Sequence, residues 1–506
     1  MISHLFSYQL ALLALIWLFV MVQVTWSEPS LTTPAVPAKP KRKRSAEPQP
    51  FAGLTHKPPC ALCDHETGDT APAPPRRPDP LPPTHRRPRT VDTSGHFCPP
   101  TGCDYRGWVG LGNLRANGHP SGGPWRQFHC TACKGYFPEH HGTLVHGKRV
   151  AVDLIVHVIG CLAEGLGIRG TARVFAVDPN TVLHWWMEAA EQLRAFAQYF
   201  LHDLHLTQVQ LDELYAVLSA LKEGTVSEEG AIERLSRSPH WVWAALAPES
   251  QVLLTLDVGE RRVAMAQRVV HQGVQVLAPD GVPLLLTDGF KEYMTALLTH
   301  YGQWVQFPRR QATGPAPKPR WMPLPQLLYA QVIKTVRRRR LVRVHQRVVF
   351  GTREAIQQVL AACGWQINTA FIERLNLSIR QHIAAVGRRV TTLCKGKDGV
   401  RQQLVLYQVY YNFCLPHTSL RQPLLVPEPT QGTGSAKRWR PCTPALAAGL
   451  TDHVWTLREV LLFRVPLWPQ PQALEAAWKH DDRAGERARC ASGQDQRPGR
   501  GLGNPR

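Results

Sequence analysis

Three acidic residues in this chain have types and settings that suit metal-dependent chemistry. Asp288 follows the apolar run Leu284 to Leu286, which predicts a short buried strand with a helix after it. Asp212 follows the alternating segment Thr207 to Leu211, and Glu373 opens an amphipathic segment. Two strand-end carboxylates and a helix carboxylate on one α/β sheet can converge on a pair of divalent cations. The alternative for Asp288 is that its side chain merely caps the following helix.

The helix predicted from Ala370 to Val386 carries a further candidate residue. Arg380 lies two helical turns after Glu373 and so shares its face. A glutamate for metal and an arginine for phosphate on one stripe would serve strand cleavage. For each of them taken singly, an internal salt bridge between helix neighbours is the structural alternative.

Residues 204–390 contain the elements that must position these acids, and they predict a single α/β domain with a mixed sheet. The predicted strands, in addition to the one before Asp288, are Thr207–Leu211, Trp241–Leu246, Val252–Leu256 and one near Trp304–Phe307, with a helix at about Arg262–His271. Three strands, a helix, a strand and further helices is the order of a ribonuclease-H-like sheet. We interpret the polar stretch 222–238 as a surface excursion and 309–350 as a longer interruption before the Glu373 helix.

The interruption ends in a run of arginines that alternate in part with apolar residues. This pattern predicts a basic strand or hairpin along a phosphate backbone, through Arg337, Arg338, Arg339, Arg340, Arg343 and Arg347. The alternative is a solvated edge whose charges prevent aggregation. Four consecutive arginines favour contact with DNA.

Two short-spaced cysteine pairs predict a structural zinc site. Cys98 and Cys103 are followed by Cys130 and Cys133 across a polar, Gly-rich stretch, which is typical of a four-thiolate zinc ribbon over residues 96–140. His119 or His129 could replace one thiolate. Such a closed site would hold a small basic module that touches DNA.

Residues 150–200 have helical spacing, interrupted by a turn at Val177 to Asn180. A short helix, a tight turn and a second helix starting at Asn180 or Thr181 is the helix-turn-helix arrangement, whose second helix can enter a major groove. A plain helical hairpin is the alternative. The zinc ribbon upstream and the basic charge favour DNA binding.

The composition also points to an anionic partner. The formal net charge is +21 with a pI near 9.8, which suggests nucleic acid first and an anionic membrane second. Twelve cysteines in 506 residues are too sparse for a disulfide scaffold. Six of them are clustered in short-spaced pairs, which favours zinc in a reducing compartment, and hence a cytoplasmic protein.

The ends of the chain differ in composition from its middle. Residues 1–27 contain an uncharged apolar run that could be a membrane anchor, an upstream translated extension or, less favoured, a signal peptide. Residues 28–95 are Pro-rich and basic, which predicts a disordered linker; Cys60 and Cys63 within it form a weak, optional metal site. Residues 391–465 are a C-terminal region whose last part, a short helix after a Pro-rich turn, is predicted to pack back on the core, and 466–506 are predicted to be a disordered tail.

Five features carry a resemblance to a known family; in chain order they are the ribbon, the helix-turn-helix and the motifs LDELYAVL, LLLTDGFKEY and NTAFIERLNLSIRQHI. Over roughly residues 96 to 460, the chain resembles the transposases of the IS-one group of bacterial insertion sequences. These belong to the acid-triad (DDE) class of transposases and integrases. The pattern that opens the family's chain is matched by Asn117, Gly118, His119, Gly123, Gln127, Cys130, Cys133 and Phe137.

The resemblance implies a function and its cofactors. Asp212, Asp288 and Glu373 would be the triad that holds Mg²⁺ (or Mn²⁺), Arg380 would be the basic residue that follows the glutamate, and zinc would be structural. The implied activity is metal-dependent DNA cleavage and strand transfer. The implied partners are the terminal repeats of the element and its target DNA, bound by a homo-oligomer in the cytoplasm at the nucleoid.

Two rival functions follow from the same residues. One is a non-catalytic DNA-binding regulator derived from a transposase, built on the ribbon and the helix-turn-helix. The other is a membrane-anchored interaction protein, attached through residues 1–27, whose Pro-rich arm binds acidic partners. The second rival does not explain the three acids.

Overall fold

The computed structural model of the chain describes residues 75–82, 91–120, 122–215, 240–309, 317–338, 340–383, 385–386, 397–430, 434–467 and 470. The apolar segment 1–27, the Cys60 and Cys63 pair, and most of the predicted tail lie outside these ranges. The chain divides into two compact units, residues 69–331 with 348–506 and residues 1–68 with 332–347. Of the smaller unit, the structure describes the segment 332–347 apart from residue 339.

The ribbon segment forms a small antiparallel sheet in the order β1-β2-β3. Its strands are β1 (Leu114–Ala116), β2 (Gln127–Cys130) and β3 (Tyr136–Pro138). Phe128 and Phe137 pack with three of the cysteines in its core. Part of the Pro-rich stretch predicted to be disordered lies against this module, since the Leu81 amide donates to the Leu111 carbonyl at 2.9 Å.

Three helices follow the ribbon: α1 (Val152–Ala163), α2 (Ile168–Phe175) and α3 (Pro179–Phe200). Helix α2 ends at Ala176 in the left-handed conformation, with φ of 51°, a common way for a helix to stop. The Asp178 side chain accepts from the Asn180 amide and caps α3, with Pro179 at its first turn. The turn lies where the sequence predicts it, and α3 begins slightly earlier.

A six-stranded sheet in the order β11-β10-β7-β4-β5-β6 forms the centre of the fold. The strands are β4 (Gln208–Tyr215), β5 (Trp241–Ala247), β6 (Val252–Gly259), β7 (Leu284–Thr287), β10 (Tyr329–Arg337) and β11 (Arg340–Phe350). Strand β5 pairs antiparallel with β4 and β6, whereas β7 pairs parallel with β4 and β10. The result is a mixed α/β fold, in agreement with the predicted α/β domain with a mixed sheet.

Helices cover both faces of this sheet. Helices α4 (Val263–Val276) and α5 (Glu292–Tyr301) lie on one face, and α7 (Ala370–His382) and α8 (Lys397–Val409) lie on the other; α6 (Arg353–Ala361) follows β11 along the chain. Alternation along β5 divides the core: Trp243 packs with the α4 and α5 side chains, whereas Ala244 packs with those of α7 and α8. Asp212 lies within β4, so the prediction that it follows the strand is wrong.

Two further predictions about strands need correction. The strand predicted near Trp304 exists as β8 (Gly302–Val305), but it pairs with β9 (Arg320–Pro323) in a separate two-stranded sheet. Strand β10, which we assigned to the basic interruption, begins instead as a member of the central sheet, with Ala330 paired to Leu286. Its apolar start packs beside β7, and its basic continuation belongs to the smaller unit.

After α8, a π-helical turn (Tyr410–Cys414) and a 3₁₀ turn (Thr418–Leu420) lead to β12 (Gln422–Glu428), β13 (Lys437–Arg440), α9 (Pro444–Ala447) and α10 (Leu457–Leu462). Phe413, Ala445 and Leu461 join the same core as α3, so the C-terminal region does pack back on the fold. Among the described residues, no helix is long and apolar enough to cross a membrane.

Candidate metal centres and nucleic-acid surfaces

Asp212 lies on the face of β4 that α7 covers. The Asn376 side-chain amide of α7 donates to its Oδ2 at 2.8 Å, and the Glu213 amide donates to Oδ1 at 2.9 Å. Strand β4 reaches α7 a second time through Gln210, whose side chain accepts from the Ile372 amide. These contacts fix the Asp212 carboxylate between the sheet and the helix.

Asp288 comes directly after β7 and next to Asp212. The parallel register of β4 and β7 pairs Leu211 with Thr287, so the two aspartates follow paired residues. Asp288 Oδ1 accepts from the Phe290 amide at 2.9 Å and closes a turn. Helix α5 begins later, with Lys291 as its N-cap and no side-chain cap, so the alternative that Asp288 caps the helix is wrong.

The structure adds a third carboxylate to this pair. Oxygens of Asp212, Glu213 and Asp288 all lie within 4.8 Å of one another and could hold a metal ion. Glu213 follows Asp212 on β4, so its side chain points to the opposite face, where α5 packs. Its Oε2 accepts from the Tyr293 hydroxyl at 3.1 Å, and Arg261 binds its Oε1.

Glu373 lies in the first turn of α7 and is not a member of that three-carboxylate group of described residues. Its Oε1 accepts from the Thr369 hydroxyl at 2.6 Å. Glu373 is near enough to act electrostatically, since its charge contributes to raising the pKa of Asp212. Arg380 lies half-buried on the same helix, two turns further along.

The electrostatics of the group suit a cation. Burial is the largest cause that raises the pKa of Asp212 to about 7, and the negative charge of Asp288 is the next. Burial and Asp288 likewise raise the pKa of Glu213 to about 7, against the opposing effect of Arg261. Closely placed carboxylate oxygens that repel one another are the hard donors that Mg²⁺ or Mn²⁺ prefers, so the group fits such an ion.

This electrostatic strain predicts a pH-dependent gain of stability for Asp212→Asn in buffer without added divalent ions. Between pH 4 and 7 native Asp212 holds a proton that the unfolded chain has released. The free energy of unfolding therefore falls as the pH rises from about 4 to about 7. Each pKa unit is worth about 1.4 kcal/mol. We expect Asp212→Asn to be more stable by about 2 to 4 kcal/mol at pH 8 and nearly unchanged at pH 4.

Thermal unfolding at both pH values measures this difference. Asp280→Asn is the matched control, because Asp280 is an exposed aspartate in the turn before β7, and it should give no gain at either pH. A gain of equal size at pH 4 and pH 8 would contradict the electrostatic cause.

The four cysteines of the ribbon lie together, and no histidine belongs to that group of described residues. Sγ atoms of Cys98 and Cys133 are 3.5 Å apart, and those of Cys103 and Cys130 are 3.9 Å apart. Tetrahedral zinc with bonds of about 2.3 Å requires sulfur atoms about 3.8 Å apart, so the geometry fits this metal. The side chains of His119 and His129 contact Gly123 and Tyr136 instead.

The surroundings of these thiols favour a thiolate. A hydrogen bond from Cys98 is the largest cause that lowers the pKa of Cys130 to about 4, and the Asn113 side chain also donates to this sulfur, at 3.4 Å. Burial raises the pKa of Cys103 to about 11. A bound cation would stabilise the remaining thiols as thiolates.

The predicted DNA-contacting arginines occupy the end of β10 and most of β11. The described ones are all exposed: Arg337, Arg338, Arg340, Arg343 and Arg347. Arg339 lies outside the described residues. Leu341, Val342 and Val344 between them are also exposed, so neither face of this strand segment is buried. Helices α2 and α3 expose a second set of polar and basic residues, namely Arg169, Arg173, Asn180 and His184.

Sequence reasoning missed three residues around these sites. Glu213 and Arg261 join the acidic group from the far face of the sheet, and Arg464 stacks on Phe97 of the ribbon, 3.8 Å from the ring centroid. Arg464 is 5% exposed and donates to the Phe97 carbonyl. Glu213 could have been found from the sequence because it is adjacent to Asp212. Arg261 and Arg464 carry no such signal, because each is far in sequence from the residues that it contacts.

Comparison with known proteins identifies no family. No protein-family model matches the chain, and no curated protein does. A solved structure described as "Crystal structure of the Mos1 Strand Transfer Complex" matches at 11% identity with a TM-score of 0.11. The match covers 29% of this chain and about half, 55%, of that chain. A likeness at this TM-score establishes neither a shared fold nor a shared function.

Proposed function

We propose that the chain is a DNA transposase of the acid-triad class, with a ribonuclease-H-like catalytic domain at residues 204–390. The observation that carries the proposal is that Asp212 on β4 lies next to Asp288, which directly follows the parallel neighbour β7, and that Asp212 is bonded to the helix that bears Glu373. The substrate would be DNA, at the ends of the element and then at the target. A protein with this partner would act in the cytoplasm at the nucleoid, as a homo-oligomer on DNA.

The residues divide the proposed chemistry among them. Asp212, Asp288 and Glu373 would hold Mg²⁺ or Mn²⁺, which when bound supplies Lewis-acid stabilisation to a phosphodiester and acidifies water. Asn376 keeps Asp212 in place through its 2.8 Å hydrogen bond. Arg380 on the same helix as Glu373 would orient a backbone phosphate.

DNA binding is assigned to other parts of the chain. We propose that residues 96–140 form a zinc ribbon and that α2 and α3 form a helix-turn-helix that reads the element's ends, with exposed Asn180 and His184 at the start of α3. The net charge of +21 supports a polyanionic partner. Binding and cleavage should therefore be separable.

One experiment decides between an enzyme and a regulator. Purified protein is incubated with labelled duplex carrying the element's terminal repeats, with Mg²⁺, with Ca²⁺ and without divalent ions. A transposase gives Mg²⁺-dependent strand cleavage at the repeat ends. Specific binding to the repeats without cleavage in any condition would favour the non-catalytic regulator.

The arginines at 337–340 give a prediction about affinity for DNA of any sequence. Changing all four to Gln should lower the slope of log K against log salt by up to about 0.9 for each arginine that neutralises a phosphate. Anisotropy titrations with a random duplex over a range of NaCl concentrations measure the slope. The four Lys replacements are the control and should keep the wild-type slope; an unchanged slope in the Gln variant would assign the run to a solvated edge.

A further inference from the structure

Arg261 is a cation built into the edge of the acidic group. It lies between β6 and α4, and its Nε donates to Glu213 Oε1 at 2.7 Å while its Nη2 binds the same oxygen. The same Nη2 is 3.8 Å from Asp288 Oδ2. Arg261 therefore connects a buried carboxylate with one of the two aspartates proposed to hold metal.

Aromatic rings fix the guanidinium of Arg261 in this position. Its Cζ lies 4.3 Å from the ring centroid of Phe290 and 5.0 Å from that of Trp241. Phe290 is also the residue whose amide donates to Asp288, so one turn holds both the carboxylate and the ring. A lysine could neither stack in this way nor keep two nitrogens on one carboxylate oxygen.

Both carboxylate oxygens of Glu213 are already occupied by protein partners, so they are not available to a cation shared with the aspartates. Its side chain is 1% exposed, whereas that of Arg261 is 36% exposed. Tyr293 donates to one oxygen and Arg261 to the other, on the face of β4 opposite to Asp212, Asn376 and α7. The proximity of Glu213 to Asp212 and Asp288 would by itself make it a third metal ligand. Its hydrogen bonds instead direct its carboxylate toward α5 and Arg261.

We propose that Arg261 is a positioning residue that neutralises Glu213 and orients Asp288, so that Asp212 and Asp288 receive the cation and Glu213 does not. The inference rests on the proposed function, whose metal site it refines. It predicts that the charges of Arg261 and Glu213 act on metal affinity in opposite directions and cancel when both are removed.

Mn²⁺ affinity, measured by EPR titration of the free ion, tests this cancellation on the full chain with its zinc retained. Arg261→Gln should tighten Mn²⁺ binding about 5- to 10-fold, because a positive charge is lost and the Glu213 carboxylate is freed. Glu213→Gln should weaken it several-fold, because Arg261 is then left to compete at Asp288. The double variant should return to within about threefold of the wild type.

Cleavage and two further variants add readouts that a merely structural role would not give. Arg261→Gln should cleave about 100-fold more slowly despite binding Mn²⁺ more tightly, and Arg261→Lys should keep wild-type affinity but lose about tenfold in rate. Arg262→Gln is the matched control, a neighbouring arginine paired with Glu260, and should change neither quantity. Thermal unfolding confirms that each variant is folded.

The outcomes separate this inference from the proposed function. Weakening of Mn²⁺ binding by about 100-fold in both Glu213→Gln and the double variant would make Glu213 a ligand and overturn the inference. Unchanged Mn²⁺ affinity in Arg261→Gln would also overturn it. A wild type that binds Mn²⁺ through Asp212 but never cleaves DNA would defeat only the proposed function; a wild type with no Asp212-dependent binding would defeat both.

Discussion

Asp288→Asn should abolish Mg²⁺-dependent cleavage of element-end DNA, with a loss of at least about a thousandfold, and leave end binding within about twofold. A loss of this size is about 4 kcal/mol of transition-state stabilisation, which is within what a bound metal supplies. The substitution removes a charged ligand but keeps an oxygen that can accept from the Phe290 amide, so the turn after β7 should survive. Binding should survive because the ribbon and α3 lie upstream of the catalytic domain.

The comparison variant is Asp280→Asn, in the exposed turn before β7, which should cleave like the wild type. Gel-based cleavage and fluorescence anisotropy on the same repeat duplex measure the two activities. An unfolded Asp288→Asn would return Asp288 to a purely structural role in its turn. A variant that cuts DNA at the normal rate would remove Asp288 from the site.

Glu373→Gln distinguishes the two sets of acids that the structure offers. If Glu373 completes the metal site with Asp212 and Asp288, its amide should lose cleavage to a similar extent as Asp288→Asn. The hydrogen bond from Thr369 would persist, because the glutamine oxygen can accept it. Normal cleavage by Glu373→Gln would instead favour the compact group of Asp212, Glu213 and Asp288.

Much of the central sheet could be predicted from local pattern. The apolar segments at 241–246 and 252–256 predict β5 and β6, which extend a little further in the structure, and the apolar run before Asp288 predicts β7. Local pattern does not say which strands pair, and for this reason the predicted placement of β8 and of β10 is wrong. The first residues of β10 are buried in the central sheet, whereas its last residues are exposed and basic. The prediction treats the whole segment 309–350 as one basic interruption and therefore misses the buried part.

Local pattern also predicts part of the site, namely the residues whose signal lies in adjacent sequence. Asp288 could be placed because a strand end and a turn are visible in adjacent residues, and the cysteines because metal-ligand spacing is short. Arg261 and Arg464 could not, because each meets its partner through packing between distant segments. The side chain of Gln470 likewise bonds to Gly107 and Val109, so residues after α10 support the ribbon at the other end of the chain.

The ribbon should lose its structure when its metal is lost. Its three strands are short, and the side chains buried with the cysteines are few: Leu114, Phe128 and Phe137. So small a core supplies little stability by itself, whereas a structural zinc contributes on the order of 10 kcal/mol. Cys130→Ser should therefore fall from one zinc per chain to none and unfold residues 96–140.

The functional result of that loss should be large. If the ribbon reads the element's ends, Cys130→Ser should bind the repeat duplex at least about 100-fold more weakly and still bind random DNA through the arginines of β10 and β11. Zinc content by atomic emission, limited proteolysis and anisotropy measure the three effects. Cys161→Ser is the control: Cys161 lies on α1 outside the thiol group, and its loss should change none of them. Retention of one zinc and of repeat binding by Cys130→Ser would show that the four thiols are not a metal site, and end recognition would then belong to α2 and α3 alone.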